Sequence, residues 1–127
     1  MPVLLLTACA ELGEAERYKQ DLAIHLSVSG VKMYGAYWCP HCATQKDLFG
    51  RAVGQVPYVE CDPQGENSQT ALCQQRGITA YPTWEVNGEL RQGVHPLGKL
   101  ADLTGFPPPP PGWFESGQGI GGASEAQ

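Results

Sequence analysis

The order of apolar and polar positions predicts a helix, a strand and a second helix in the first half of the chain. Between Ala15 and Leu26, apolar residues recur at helical spacing and charged residues occupy the other face. Val31–Tyr37 is an apolar run typical of a buried strand. Ala43–Phe49 is rich in helix formers and ends at Gly50, a common stop signal. Because the first helix is amphipathic, we expect it to cover the central sheet.

The second half of the chain continues the alternation and adds a hairpin. The predicted elements are a strand at Val56–Cys61, a helix at Glu66–Arg76, strands at Thr83–Val86 and Glu89–Val94, and a helix from Pro96 to Gly105. Asn87-Gly88, between the last two strands, is the strongest short signal for a hairpin. The whole order predicts an α/β domain with a mixed central sheet flanked by helices and an extra N-terminal helix.

Composition separates this central domain, residues 14–105, from the two ends of the chain. We expect residues 1–13 to be a linker or a truncated signal, and residues 106–127 to be a proline-rich spacer followed by a disordered tail. Five consecutive prolines at Pro107–Pro111 favour a stiff polyproline segment, and the tail from Glu115 has too little apolar content to pack. A proline ligand for a partner domain is the alternative to a spacer.

The N-terminal segment suggests export. Leu6-Thr7-Ala8-Cys9 resembles the lipobox of bacterial lipoprotein signals, in which the cysteine is acylated and becomes the new N-terminus. No Lys or Arg precedes the apolar run and the run is short, which departs from a complete signal. We therefore expect Cys9 to be a lipidation site at a truncated signal. The alternative is a frayed N-terminus with an incidental cysteine.

Charge and cysteine content narrow the class of protein. The formal net charge is −5 with only 8 Lys and Arg, which argues against nucleic acid or an anionic membrane surface as a partner. No apolar run approaches the roughly 18 residues that a membrane span requires. Five cysteines among 127 residues suggest an oxidising compartment.

The sequence Cys39-Pro40-His41-Cys42 places two thiols at the junction of the first strand and the second helix. Pro40 suits the first helical position, where its missing N–H has no partner to lose. The helix N-terminus favours a thiolate at Cys39, and Cys42 lies one turn further on the same side. This spacing predicts a dithiol/disulfide switch. A structural disulfide and half of a metal site are the alternatives.

Within such a switch, each residue of the motif receives a role. Cys39 is the expected nucleophile and Cys42 the thiol that resolves the mixed disulfide. A His41 imidazolium would stabilise the Cys39 thiolate and hence the reduced form, which makes the disulfide a stronger oxidant. The alternative for His41 is a solvated helix residue.

Two more cysteines fall at the end of the second strand and in the next predicted helix. A disulfide between Cys61 and Cys73 would close a short loop and contribute roughly 3 kcal/mol in the chain-entropy estimate. We interpret the pair as a structural disulfide. A second redox relay and two reduced thiols are the alternatives.

The element order with C-x-x-C at the first strand–helix junction resembles the thioredoxin fold. Tyr81-Pro82-Thr83 strengthens the likeness, because thioredoxin-like proteins have a cis proline that faces the C-x-x-C at this place. The resemblance implies that Pro82 is cis and that the backbone of Tyr81 pairs with an extended substrate segment. Trp38 and Tyr81 would then be apolar walls for the substrate, with ordinary packing as the alternative. Pro40-His41 is also the dipeptide of DsbA-type disulfide oxidases.

A closer resemblance concerns three blocks of sequence. Lys32–Cys42, Val56–Cys61 and Gly77–Trp84 look like the thioredoxin-like domain fused to vitamin K epoxide reductase homologues of cyanobacteria and plants. The likeness covers about Asp21–Gly105, and the membrane-embedded domain of that family is absent from the sequence. It implies a disulfide oxidoreductase that needs no cofactor or metal of its own.

The same resemblance implies partners and a compartment. The partners would be protein thiols and disulfides together with a separate membrane oxidase of the vitamin K epoxide reductase type, linked to quinone. We expect a monomer in the periplasm or thylakoid lumen, anchored to the membrane by a lipid at Cys9. Ordinary thioredoxins carry a buried acid where this chain has Met33, so proton transfer at Cys42 must use water or another group.

Two other functions remain open from the sequence. A reductase or isomerase would use the same residues in the opposite direction. A copper or zinc carrier would bind metal through Cys39 and Cys42, with His41 as a further ligand.

Overall fold

The computed structural model describes residues 13–114, which form four helices, a 3₁₀ segment and four strands. The elements are α1 (Glu14–Val28), β1 (Lys32–Gly35), α2 (Pro40–Phe49), the 3₁₀ segment (Gly50–Gln55), β2 (Tyr58–Glu60), α3 (Thr70–Gln75), β3 (Thr83–Val86), β4 (Glu89–Gln92) and α4 (Leu97–Thr104). Their order is the order that the apolar pattern predicts. No helix of this part of the chain is long and apolar enough to cross a membrane.

The four strands form one mixed sheet in the order β2-β1-β3-β4. Strand β1 is parallel to β2 and antiparallel to β3, and β3 pairs with β4 as an antiparallel hairpin. At the hairpin, Asn87 and Gly88 have φ values of 53° and 81°, as the turn that matches the twist of paired strands requires. The mixed sheet with its helices confirms the predicted α/β thioredoxin-like fold.

The central strand β1 contributes side chains to two separate cores. Successive residues of a strand point to opposite faces, so Met33 enters the larger core and Tyr34 the smaller one. The larger core packs α1, α2 and α4 against the sheet, and its fully buried members include Leu22, Leu26, Phe49, Trp84 and Leu100. The smaller core combines Tyr34 with Val59, Cys61 and Cys73. The amphipathic first helix therefore covers the sheet, as expected.

One buried amide fixes α2 to its surroundings. Gln45 is fully buried and its Oε1 accepts hydrogen bonds from Trp84 Nε1 at 2.9 Å and from the His95 backbone N–H at 2.7 Å. Its Nε2 donates to the His95 carbonyl oxygen at 2.9 Å. Because a buried amide is stable only when its polar atoms have partners, these bonds hold α2 in one position against β3 and the loop before α4.

The predicted start of the third helix is wrong. We expected a helix over Glu66–Arg76, but α3 begins only at Thr70. The Gln64 N–H is bonded to Asp62 Oδ1 at 2.8 Å, and Asn67 has a positive φ of 54°. Turn chemistry after Asp62 therefore extends further than the polar pattern indicated, because Asn tolerates the left-handed conformation.

The residues after Gly105 lie against α1. The Tyr18 hydroxyl donates to the Pro107 carbonyl oxygen at 2.6 Å. The rings of Phe106, Trp113 and Phe114 surround the Tyr18 ring with centroid distances of 5.5, 6.2 and 6.1 Å. The segment expected to be a spacer thus packs on the domain through Phe114. The expected disordered tail and Cys9 lie outside the described residues.

Candidate active site

The structure places the two motif cysteines at the N-terminus of α2. Cys39 is the N-cap residue, Pro40 occupies the first turn, and the Ala43 N–H bonds back to the Cys39 carbonyl oxygen at 3.1 Å. Both thiols are free, with exposed fractions of 6% for Cys39 and 1% for Cys42. Cys39 therefore offers the more accessible sulfur, and Cys42 lies behind it on the same helix.

The loop before β3 reaches the same point. The Tyr81–Pro82 peptide bond is cis, as the thioredoxin resemblance implies. Cys39 Sγ lies 3.7 Å from the Tyr81 carbonyl oxygen, within reach of a sulfur hydrogen bond. The backbone at Tyr81 thus borders the thiol that we expect to react first.

The two thiols differ in their surroundings. Burial raises the pKa of the Cys42 thiol to about 12, and the hydrogen bond and charge of Cys39 act in the same direction. The backbone of Ala36 and the charge of Lys46 lower the same pKa and only partly offset the effect of burial. In the reduced protein Cys42 therefore keeps its proton at neutral pH, which leaves Cys39 as the thiol available for a first attack.

An aromatic pair borders the thiols at the surface. Trp38 is 56% exposed, and its ring lies edge-on to Tyr81 at a centroid distance of 6.0 Å. Trp38 Nε1 donates to Asp62 Oδ2 at 2.7 Å, and this bond lowers the pKa of the Asp62 carboxyl. The structure thus brings Trp38 beside Tyr81, while their role as walls for a substrate stays a prediction. Asp62 was not singled out from the sequence.

His41 lies exposed on the first turn of α2, between the two cysteines in sequence. This exposed position next to the helix N-terminus agrees both with a residue that stabilises the Cys39 thiolate and with a solvated helix residue. Its effect on the Cys39 thiolate stays a prediction.

A buried carboxylate that sequence reasoning missed lies at the end of β2. Glu60 is 5% exposed, and its Oε2 accepts hydrogen bonds from the backbone N–H groups of Tyr37 at 3.2 Å and Asp62 at 2.9 Å. Its Oε1 accepts a hydrogen bond from the Tyr58 hydroxyl at 2.7 Å. Glu60 therefore ties the loop that leads to Cys39 to the neighbouring strand. The sequence signal that could have revealed this role is a charged residue inside the otherwise apolar run Val56–Cys61.

Cys61 and Cys73 form a disulfide that joins the end of β2 to α3, with an S–S distance of 2.03 Å. Both residues belong to the smaller core, whereas Cys39 and Cys42 belong to the larger one. The predicted pairing is therefore present, and it lies apart from the motif thiols. Within residues 13–114, no group of three or more His, Cys, Asp or Glu is placed to hold a metal ion.

Comparisons with known proteins complete this description. No protein-family model matches the chain. It is 44% identical over 93 residues to thiol-disulfide oxidoreductase LTO1 of Arabidopsis thaliana, a match that covers 70% of this chain. The chain spans only about a quarter of the length of that relative.

Among solved structures, oxidized glutaredoxin 2 from Chlamydomonas reinhardtii aligns with a TM-score of 0.40 and 23% identity, over 72% of this chain and 94% of that one. This distant likeness carries no functional weight. Neither relative's name mentions vitamin K epoxide reductase, so that narrower resemblance stays a prediction. The chain is therefore similar to a segment that makes up about a quarter of a relative named thiol-disulfide oxidoreductase. The described part of the chain has the thioredoxin-like fold.

Proposed function

We propose that this domain is a thiol-disulfide oxidoreductase that exchanges disulfides with protein substrates through Cys39 and Cys42. The observation that carries the proposal is the pair of free thiols at the N-terminus of α2, both largely buried, with Cys39 at the N-cap beside the Tyr81 backbone and Cys42 one turn further along the helix. The 44% identity to a relative named thiol-disulfide oxidoreductase supports it. The role of Cys42 as the resolving thiol follows from its burial and its raised pKa, which leave Cys39 as the nucleophile.

In the oxidising direction, a substrate thiolate attacks Cys39 Sγ of the Cys39–Cys42 disulfide. The S–S bond breaks, Cys42 leaves as a thiolate, and it takes up a proton in keeping with its raised pKa. A second substrate thiolate then attacks the substrate sulfur of the mixed disulfide, and Cys39 leaves as a thiolate. Two electrons pass from the substrate to the cysteine pair, and the substrate gains a disulfide.

The surface around Cys39 suits an extended peptide. Tyr81 lies beside the thiol in a loop that leads into β3, where a substrate backbone can add alongside as a strand. Trp38, held by Asp62, and the Tyr81 ring would contact side chains next to the substrate cysteine. We therefore assign these residues to substrate binding.

We further propose that the substrates are exported proteins and that a membrane oxidase of the vitamin K epoxide reductase type reoxidises the domain. The Pro40-His41 dipeptide and the similarity of the motif blocks to that family support this part. The Cys61–Cys73 disulfide supports a location in an oxidising compartment, the periplasm or thylakoid lumen. The lipobox-like sequence Leu6-Thr7-Ala8-Cys9 supports Cys9 as the site of a lipid anchor.

The test combines an exchange assay with a redox titration. The reduced Cys42→Ala variant should trap mixed disulfides with disulfide-containing protein substrates, because Cys39 attacks the substrate disulfide and no Cys42 thiol then releases it. Cys39→Ala should form none, and equal trapping by both variants would refute the proposed roles. The parent domain is then equilibrated against glutathione buffers. A potential near about −270 mV, the thioredoxin level, would overturn the oxidising direction and favour a reductase. A value well above it supports the oxidase.

A further inference from the structure

The buried thiol Cys42 poses a problem of proton transfer. Its sulfur must lose a proton when it attacks a mixed disulfide and regain one when it leaves as a thiolate, yet Cys42 is only 1% exposed. On β1 the residue that adjoins Cys42 is Gly35, and Met33, two positions earlier, is fully buried in the larger core; neither has a titratable group. The proton must therefore travel by way of another element.

Strand β2 brings a hydroxyl-bearing ring to this sulfur. Gly35 has no side chain, and the point where its Cβ would stand lies 2.7 Å from Cys42 Sγ and 3.1 Å from Tyr58 Cε1. The thiol and the edge of the Tyr58 ring therefore both adjoin the space that a side chain at Gly35 would fill. Cε1 adjoins the carbon that carries the hydroxyl, and that hydroxyl donates to Glu60 Oε1 at 2.7 Å.

Tyr58 and Glu60 also border a cleft at the protein surface. A cavity of about 400 Å³ is lined by Tyr58 and Glu60 together with Lys46 and Glu66. Lys46 Nζ lies 3.7 Å from the centre of the Tyr58 ring. Tyr58 therefore borders both the space beside Cys42 and a polar cleft, and Glu60, which accepts from the Tyr58 hydroxyl, lines the same cleft.

Building on the proposed exchange reaction, we propose that Tyr58 and Glu60 form a proton relay between Cys42 and this cleft. When Cys42 attacks, its proton passes through a water molecule to the Tyr58 oxygen as the Tyr58 hydroxyl proton passes to Glu60 Oε1, and Glu60 releases a proton to the cleft. When Cys42 leaves as a thiolate, the same transfers run in reverse. Glu60 acts through Tyr58 and holds its hydroxyl in position.

Other ionisable groups also face the thiol. Cys39 and Lys46 approach it from α2, Tyr58 from β2, and Tyr81 from the loop before β3. Burial, followed by the hydrogen bond and charge of Glu60, raises the pKa of Tyr58. Tyr58 thus passes a proton on and does not remain ionised, which suits a relay.

The test isolates the step in which Cys42 attacks. The full chain carrying Cys9→Ser is reduced at the motif pair and mixed with dithiobis-nitrobenzoate. The first coloured thiolate reports attack by Cys39, and the second reports attack by Cys42 on the resulting mixed disulfide. Both are followed by stopped flow from about pH 6 to about pH 10, on either side of the pKa of a free thiol.

We expect Tyr58→Phe to slow the second release about a hundredfold near neutral pH, the lower end of what positioned acid–base groups contribute. The deficit should close as the pH rises, because hydroxide then removes the Cys42 proton directly. Glu60→Gln, which keeps the oxygen that accepts from Tyr58 but cannot take its proton, should behave in the same way. The parent protein should show a slower second release in deuterium oxide, and this sensitivity should fall in Tyr58→Phe.

The opposite face of the sheet supplies a matched control. There the Tyr34 hydroxyl donates to Glu85 Oε1 at 2.6 Å, away from the motif thiols. Tyr34→Phe should release the second thiolate at the parent rate over the whole pH range.

Three results would overturn the relay. The first is that Tyr58→Phe behaves like Tyr34→Phe. The second is a loss that is the same at every pH, which indicates a structural role. The third is a pH-dependent loss in Lys46→Met with normal behaviour of Tyr58→Phe. If Tyr58→Phe does not fold, the Glu60→Gln profile and the isotope effect on the parent protein decide. An absent first release in the parent protein would refute the exchange function itself.

Discussion

Removal of the Cys61–Cys73 disulfide should lower stability and spare exchange. The two cysteines are 12 residues apart, and closing such a loop removes chain entropy worth about 3 kcal/mol at 25 °C. Both residues are 4% exposed, and alanine in their place deletes only small buried groups. For a domain of roughly 100 residues, each kcal/mol corresponds to about 4–8 °C in the melting temperature. We therefore expect the double variant Cys61→Ala/Cys73→Ala to melt roughly 12–24 °C below the parent protein.

The assay pairs thermal unfolding, followed by far-ultraviolet circular dichroism, with the rate of disulfide exchange at a temperature where both proteins are folded. The Cys9→Ser variant, in which the disulfide is intact, serves as the control for loss of a thiol. Exchange should stay close to the parent rate, because the disulfide lies in the smaller core, apart from Cys39 and Cys42. Exchange that falls as far as in Cys39→Ala, at an unchanged melting temperature, would show instead that the pair is a redox relay.

Three more predictions concern the motif and its border. Cys39 should alkylate at neutral pH well before Cys42, whose raised pKa keeps it protonated there, and equal reactivity of the two thiols would contradict the role of Cys39 as nucleophile. Because the pKa of Cys42 is raised to about 12 in the folded, reduced protein, its contribution to stability is complete below about pH 8.5 and is lost as the pH rises toward 12. The oxidised form lacks this titration, so urea unfolding of the two forms should diverge above about pH 8.5, and parallel curves would refute the assignment. Asp62→Asn should weaken the hold on Trp38 and raise KM for peptide substrates while kcat changes little, and an equal fall in kcat would show that Asp62 acts on the chemical step.

The fold and the position of the motif could be predicted from the sequence because they depend on local signals. The apolar run before Cys39, the proline after it and Asn87-Gly88 each specify backbone geometry within a few residues. The structure places the motif at the strand–helix junction and the hairpin at Asn87-Gly88 as predicted.

The buried polar contacts around the site could not be predicted from local sequence signals. Glu60, Asp62 and Gln45 each acquire their importance from partners that only the tertiary structure brings near. A periodic pattern reports which face of an element is buried, but it does not report that a buried polar atom has found a donor elsewhere. The predicted start of α3 was wrong for a related reason, since the turn after Asp62 depends on a side-chain hydrogen bond that the spacing of hydrophobic residues does not reveal.

The hydrogen bonds of Gln45 have a consequence for the lifetime of captured substrate. Gln45 follows Cys42 by one turn of α2 and fixes that helix to β3 and to the backbone of His95. A helix held in this way keeps the Cys42 sulfur beside Cys39, so the resolving thiol acts at a high effective molarity that no dissolved thiol matches. The time that a substrate remains covalently attached is then set by the rigidity of α2 as much as by the acidity of its thiols.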